Sequence, residues 1–279
     1  MALQLVQEHT ADKETMLYAE NVSKTFASNK KEIVALESVH ITIKREEFVS
    51  LLGPSGCGKS TFLRLVAGLD EKTDGVLTLN GTPIVGSGRD RGVVFQQYSL
   101  LPWMHAWENV AFALKKSKGL SAAQKKEMAH HFLELVGLKG FENHYPAQMS
   151  GGMQQRVAIA RALVYRPKLL LMDEPFGALD AQTRRDMQDL LMRIRQEEKC
   201  SVLFVTHDVD EAIYLSDRVY MMSAHPGRIA KELTIDIRKP RDWNDMLSDR
   251  FVHYKREIVS ELERQKSLKH QALQAKTST

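Results

Sequence analysis

The chain has 279 residues, a formal net charge of +4 and 43% hydrophobic residues. This is enough for one large α/β domain or two small ones with a real core, and the near balance of charge argues against a surface built for nucleic acid. Its two cysteines, Cys57 and Cys200, allow one bridge at most, so a reducing interior is the natural reading. Residues 1–15 lack an apolar signal segment and no window reaches membrane-spanning length, so a soluble, cytosolic protein is expected, one still free to dock on a membrane partner.

Residues 1–14 read as a frayed tail. Met16–Val22 reads as a strand, and Val39–Lys44 alternates with period two, as an antiparallel strand with one wet face should. Phe26 falls in the loop between them, either as a half-buried packing aromatic or as a flat ring offered to a base.

The apolar run Phe48–Leu52 leads into Gly53-Pro54-Ser55-Gly56-Cys57-Gly58-Lys59-Ser60-Thr61, followed by the helix-compatible Phe62–Ala67. This is G-x-x-x-x-G-K-[ST] in the strand–loop–helix context the motif requires. The glycines let backbone N–H groups turn inward around phosphate oxygens, and the helix aims its positive end at the same point. Lys59 is expected to reach the β- and γ-phosphates and the Ser60 hydroxyl to ligate Mg²⁺. Cys57, beside these N–H groups and Lys59, is expected to be more acidic and reactive than an ordinary cysteine, whereas Cys200 is expected to react slowly.

Gly75–Asn80 is a strand closed by an Asn80-Gly81 turn, and Gly92–Phe95 is a short strand ending at Gln96. Leu100-Leu101-Pro102-Trp103-Met104 then puts apolar side chains in a loop, which calls for cover, either by neighbouring helices or by a partner. Helical spacing follows around Val110–Leu114, from Ser121 to Gly137, and over Met153–Tyr165. Lys115–Lys118 is a solvated turn. Ser150-Gly151-Gly152 precedes the last of these helices as a second candidate anion site. Lys168–Met172 is a continuous apolar run, hence a strand buried on both faces, and it ends in Asp173-Glu174. Carboxylates there suit a cation, with Asp173 on Mg²⁺ and Glu174 near the attacking water.

Gln182–Glu198 is an amphipathic helix, and Val202–Thr206 a second buried strand ending at His207. Ligands of open parallel sheets bind at the carboxyl ends of strands, so Gly53, Gln96, Asp173 and His207 are expected to cluster. Arg218–Met222 and Arg228–Ile235 are further strands around a Pro226-Gly227 turn, Asp242–Gln265 is an amphipathic helix, and Lys269–Thr279 a polar tail.

Over residues 16–235 the pattern resembles the ATP-binding cassette (ABC) ATPases. Gly53–Ser60 is similar to Walker A, Leu169–Glu174 to Walker B, Gln96 to the Q-loop, Ser150–Arg156 to the signature, Ala178–Asp180 to the D-loop and His207 to the switch histidine. The signature departs from Leu-Ser-Gly-Gly-Gln at Met149 and Met153. The resemblance implies an α/β P-loop NTPase cassette at 15–238: a RecA-like core, an antiparallel β-subdomain and an inserted helical subdomain at about 98–160, with a C-terminal helix at 239–267 and a disordered tail at 268–279. It implies that ATP lies on Gly53–Thr61 with Phe26 stacked on adenine, and Mg²⁺ on Ser60, Gln96 and Asp173. Glu174, His207 and Gln96 are the implied catalytic residues; Ser150, Gly151, Gly152 and Gln154 act in trans in a homodimer whose D-loop carries Asp180.

The stretches Arg91–Gln96, Leu100–Trp103, Asp173–Asp180 and Ser223–Ile229 are similar to importers of the nitrate, sulfonate and taurine type. That implies a subunit peripheral to the cytoplasmic face of the inner membrane, a permease docked at Leu100–Trp107 and, indirectly, a periplasmic solute-binding protein, with no nucleic acid. Importers of bicarbonate or of pyrimidine or thiamine precursors remain open, as does a soluble non-transport ABC ATPase, although the insertions or second cassette of the soluble class are absent.

Overall fold

A computed structural model describes residues 14–28, 31–223 and 226–277. In chain order the strands are β1 (Thr15–Ser28), β2 (Lys31–Lys44), β3 (Phe48–Leu52), β4 (Asp74–Leu79), β5 (Thr82–Pro83), β6 (Arg91–Val94), β7 (Leu169–Asp173), β8 (Ser201–Thr206), β9 (Arg218–Ser223) and β10 (Arg228–Thr234). The helices are α1 (Lys59–Ala67), α2 (Ala106–Phe112), α3 (Ala122–Leu135), α4 (Gly151–Leu163), α5 (Ala181–Glu198), α6 (Val209–Leu215) and α7 (Asp249–Thr277). The chain divides into two compact units, Met1–Ser87 with Leu203–Thr279, and Gly88–Val202.

In the first unit β1 pairs antiparallel with both β2 and β4, giving the order β2-β1-β4-β5. The expected alternation on β2 is present: Ile41 and Ile43 are buried while His40 and Lys44 are exposed. Both strands run further than their apolar cores suggested. Thr25, Phe26, Ile33 and Val34 are β-branched or aromatic and continue the ladder, with Phe26 opposite Ile33. Phe26 is therefore in a strand, not in a loop. Asn80 and Gly81 have φ of 49° and 76°, the two positive values that a tight hairpin turn needs, and β5 folds back from them onto β4.

A second sheet of this unit has the neighbour order β10-β9-β3-β8, with β3 parallel to β9 and β10 antiparallel to it. Every residue of β3 and β8 is buried, as continuous apolar runs require. The Phe48 and Phe204 rings meet at 5.7 Å in this core. Helix α6 was not expected: seven residues are too short to show a period, and the signal was its cap, Asp208, whose carboxylate accepts the N–H groups of Asp210 and Glu211.

The C-terminal helix differs at both ends from the expected 239–267. Asp242 accepts the N–H groups of Asn244 and Asp245, so an Asx turn replaces the first helical turn and α7 starts only at Asp249. It runs on to Thr277, through residues expected to be disordered, whose Lys, Gln, Ala and Leu content favours helix. The expected tail at 1–14 lies outside the described residues except for Glu14.

The second unit holds β6 and β7, parallel and in register from Arg91↔Leu169 to Val94↔Met172, together with α2 to α5. Helices α2, α3 and α4 pack on one another and α4 also meets α5. The unit contains the stretch of about 98–160 together with β6, β7 and α5.

Candidate functional site

The first unit carries the loop Gly53–Thr61 between β3 and α1. Gly56 and Gly58 have φ of 78° and 100°, values that favour glycine. At Gly58 a Cβ would also lie 2.6 Å from Leu36 Cδ2. The left-handed Gly58 turns the chain straight into α1, whose first bond runs from Phe62 N–H to the Gly58 carbonyl at 2.8 Å. Lys59 is buried, and its ammonium donates to the carbonyls of Gly53 at 2.7 Å and Pro54 at 3.2 Å. These contacts hold the lysine across the mouth of its own loop. The Ser60 side of the loop faces solvent.

Cys57 points the other way. It is 1% exposed, and a Cβ on Gly53 would lie 2.9 Å from its sulfur. The thiol fills space behind the loop, out of reach of a reagent, which removes the route by which enhanced reactivity was expected. The turn between β9 and β10 closes on the same spot. Gly227 exchanges backbone hydrogen bonds with Ala35 and Glu37, and a Cβ on it would lie 2.1 Å from the Cys57 carbonyl oxygen. Only a residue without a side chain fits between the turn and the loop, and Gly227 had been read as turn chemistry alone.

His207, exposed, follows β8, the neighbour of β3. Thr206 donates its hydroxyl to Glu211 at 2.7 Å and accepts the Asp208 N–H at 3.0 Å, which fixes the exit of β8 on both sides of the histidine. Phe26, 41% exposed, presents its ring on the β1–β2 hairpin with the Lys24 ammonium 4.8 Å from its centroid.

In the second unit Gln96 follows β6 and Asp173 ends β7. The two strands are parallel and in register, so their carboxyl ends lie side by side. Glu174 has φ of 44°, an uncommon conformation for a residue with a side chain and the kind of strain found at functional positions. Ser150 caps α4, accepting the Met153 N–H at 3.3 Å, which leaves its own hydroxyl hydrogen free to be aimed at an anion. Gly152 is required by packing as well: a Cβ there would lie 2.5 Å from Thr183 Cγ2 on α5. Gln154 turns inward and donates to the carbonyls of Pro146 and Met149 at 3.0 and 3.2 Å. Its amide secures the loop before α4 within the chain. Asp180 caps α5 through the N–H groups of Gln182 and Thr183, and the Thr183 hydroxyl and backbone hold its carboxyl below the usual range.

The apolar loop of this unit is rigidly built. Trp103 is 69% exposed, yet the fully buried Asn109 accepts the Leu101 N–H at 2.8 Å and donates to the carbonyls of Leu101, Met104 and His105. Arg161 of α4 forks onto the carbonyls of Ser99 at 2.7 Å and Tyr98 at 2.9 Å. Sequence reasoning missed both. Asn109 was detectable as a polar residue next to Val110 on the buried side of a short helix.

Residues 36–177 match the family described as ABC transporter. The chain belongs to this family. It is 50% identical over 255 residues to an uncharacterized ABC transporter ATP-binding protein of Methanocaldococcus jannaschii, covering 91% of this chain and 94% of the relative. It is 46% identical over 246 residues to the nitrate import ATP-binding protein NrtD of a Synechocystis strain, covering 86% of this chain and 92% of the relative. Its fold is similar, with a TM-score of 0.72 and 36% identity, to the dimeric post-hydrolysis structure of the ATP-binding cassette MJ0796 bound to ADP and Pi, over 80% of this chain and 100% of that one. Among the described residues no helix of this ABC chain is long and apolar enough to cross a membrane.

Proposed function

We propose that this chain is the ATP-hydrolysing subunit of an ABC importer for a small anion such as nitrate, taurine or an aliphatic sulfonate. The observation that carries the reading is the presence in one chain of a phosphate loop, Gly53–Thr61, and of a strand that ends in Asp173 and the left-handed Glu174. Membership of the family and the nitrate importer among its relatives support it.

In this reading the backbone N–H groups of Gly53–Thr61 cradle the phosphates. Lys59 leaves the Gly53 and Pro54 carbonyls for the phosphate oxygens, so the loop exchanges an internal contact for the ligand. Ser60, Gln96 and Asp173 are oxygen donors of the kind that would hold Mg²⁺, a hard cation, which would supply neutralisation of phosphate charge. Glu174 accepts a proton from the attacking water, His207 contacts the γ-phosphate, and Phe26 lies against the adenine. Ser150, Gly151 and Gly152 meet the γ-phosphate of a second copy, and Asp180 stands beside them. Positioning and charge neutralisation do most of the work of phosphoryl transfer, which is why so many donors serve one group. The subunit sits on the cytoplasmic side of its permease, whose dock is Leu100–Trp107.

Glu174→Gln tests the reading. It should bind ATP normally, lose about a hundredfold or more of its turnover, and accumulate as an ATP-bound dimer on size exclusion. Near-normal turnover removes Glu174 from the mechanism.

A further inference from the structure

Helix α6 starts two residues after His207 and is only seven residues long. A helix of that length has no stability of its own; its position is set by what grips it. The residues after β10 grip it at three points.

The first is Arg241, 7% exposed. One of its terminal nitrogens donates to the carbonyls of Ile213 at 2.7 Å, Tyr214 at 2.9 Å and Ser216 at 2.7 Å, which are carbonyls that the C-terminal end of α6 cannot satisfy within the helix. The other reaches the carbonyls of Ile235 and Ile237 at 3.2 and 3.4 Å. One cation thus ties the negative end of α6 to the segment that follows β10. The second is Trp243, stacked on the buried Tyr214 ring at 4.7 Å and 18°, while the Tyr214 hydroxyl donates to the Arg241 carbonyl at 3.3 Å. The third is Lys255 of α7, 2.7 Å from the Asp210 carboxylate in the first turn of α6.

We infer that the segment Ile235–Lys255 is a brace for the switch histidine, with Arg241 and Trp243 as positioning residues that set His207 through α6. The inference deepens the reading of His207 given above and rests on it. The phosphate loop is carried on β3 and α1, so loosening α6 should disturb the catalytic arrangement around the γ-phosphate more than the binding of the nucleotide. A merely structural role would lower stability without separating the two.

The experiment compares steady-state ATPase kinetics and ATP affinity of the full chain with those of Arg241→Lys and Trp243→Leu. Lysine keeps the charge but cannot span both sets of carbonyls. The expected result is a kcat lower by about tenfold in each variant, with KM and the dissociation constant for a fluorescent ATP analogue within about twofold. Should Arg241→Lys fail to fold, Trp243→Leu, whose ring is half-exposed, decides alone. Unchanged kcat in a folded variant, or a loss of ATP affinity equal to the loss of kcat, overturns the brace. His207→Ala is measured in parallel. If it turns over normally, the role of His207 is wrong; if it is crippled while Arg241→Lys and Trp243→Leu are normal, the histidine stands and the brace does not.

Discussion

Cys200 shows how burial alone redirects a side chain's chemistry. Desolvation pushes its thiol up to about 11 from an ordinary 9.0, against the smaller opposing effect of a backbone hydrogen bond. Cys57, buried against Gly53, is closed to reagents by packing. At pH 8 a maleimide should therefore modify neither thiol of the native chain at an appreciable rate, and both in urea; mass-spectrometric mapping of labelled peptides decides it, and rapid native labelling at Cys57 would restore the reactive-loop reading. The linkage sign for Cys200 follows from the upward shift. The unfolded chain loses this proton near pH 9 and the folded chain holds it to about 11, so the stability it contributes is complete below pH 9 and fades between the two values. Urea midpoints should fall over that window, and fall less in Cys200→Ala.

At the scale of elements, the loop from Tyr98 to His105 is held by Arg161 on α4 and Asn109 on α2. Its exposed tryptophan is thus offered on a fixed frame, which follows Gln96 in the chain and is attached to α4. Trp103→Glu should leave basal ATPase of the isolated chain within about twofold, and weaken permease binding and coupled transport by about tenfold or more, as loss of a buried aromatic anchor does. Misfolding or loss of basal activity would make Trp103 a core residue. The frame also marks what a sequence can reveal. β3, β7 and β8 were legible because strands buried on both faces leave continuous apolar runs, and the phosphate loop because its spacing encodes backbone geometry. Arg161 and Arg241 were not, since each bonds backbone carbonyls far away along the chain, for which residue type carries no signal.

At the scale of the whole molecule, the proposed function asks one chain to supply two half-sites: the loop Gly53–Thr61 with His207 in one unit, and Ser150-Gly151-Gly152 with Asp180 in the other. Ser150 caps α4 and spends only its acceptor on doing so. That cap does not use the Ser150 proton, so the hydroxyl keeps a donor, which the proposed function aims at a phosphate brought by another copy. A closed two-fold dimer would make this reciprocal, each chain lending its Ser150 segment to the other's loop. The cassette MJ0796, similar over 80% of this chain, has a dimeric structure bound to ADP and Pi. The reciprocity predicts complementation between two dead chains. Lys59→Ala destroys the loop and keeps the signature; Ser150→Arg does the reverse. Each alone should be inactive. Mixed, they form a dimer in which one site joins the intact loop of one chain to the intact signature of the other, while the second site is doubly damaged. Random pairing makes about half the dimers mixed, each with one working site of two, so the mixture should recover about a quarter of wild-type ATPase if sites work independently. Tagging the two chains differently and purifying through both tags isolates the mixed dimer and raises the expected figure to about half. If that purified species is as inactive as either parent, the signature acts within its own chain and the composite site is wrong.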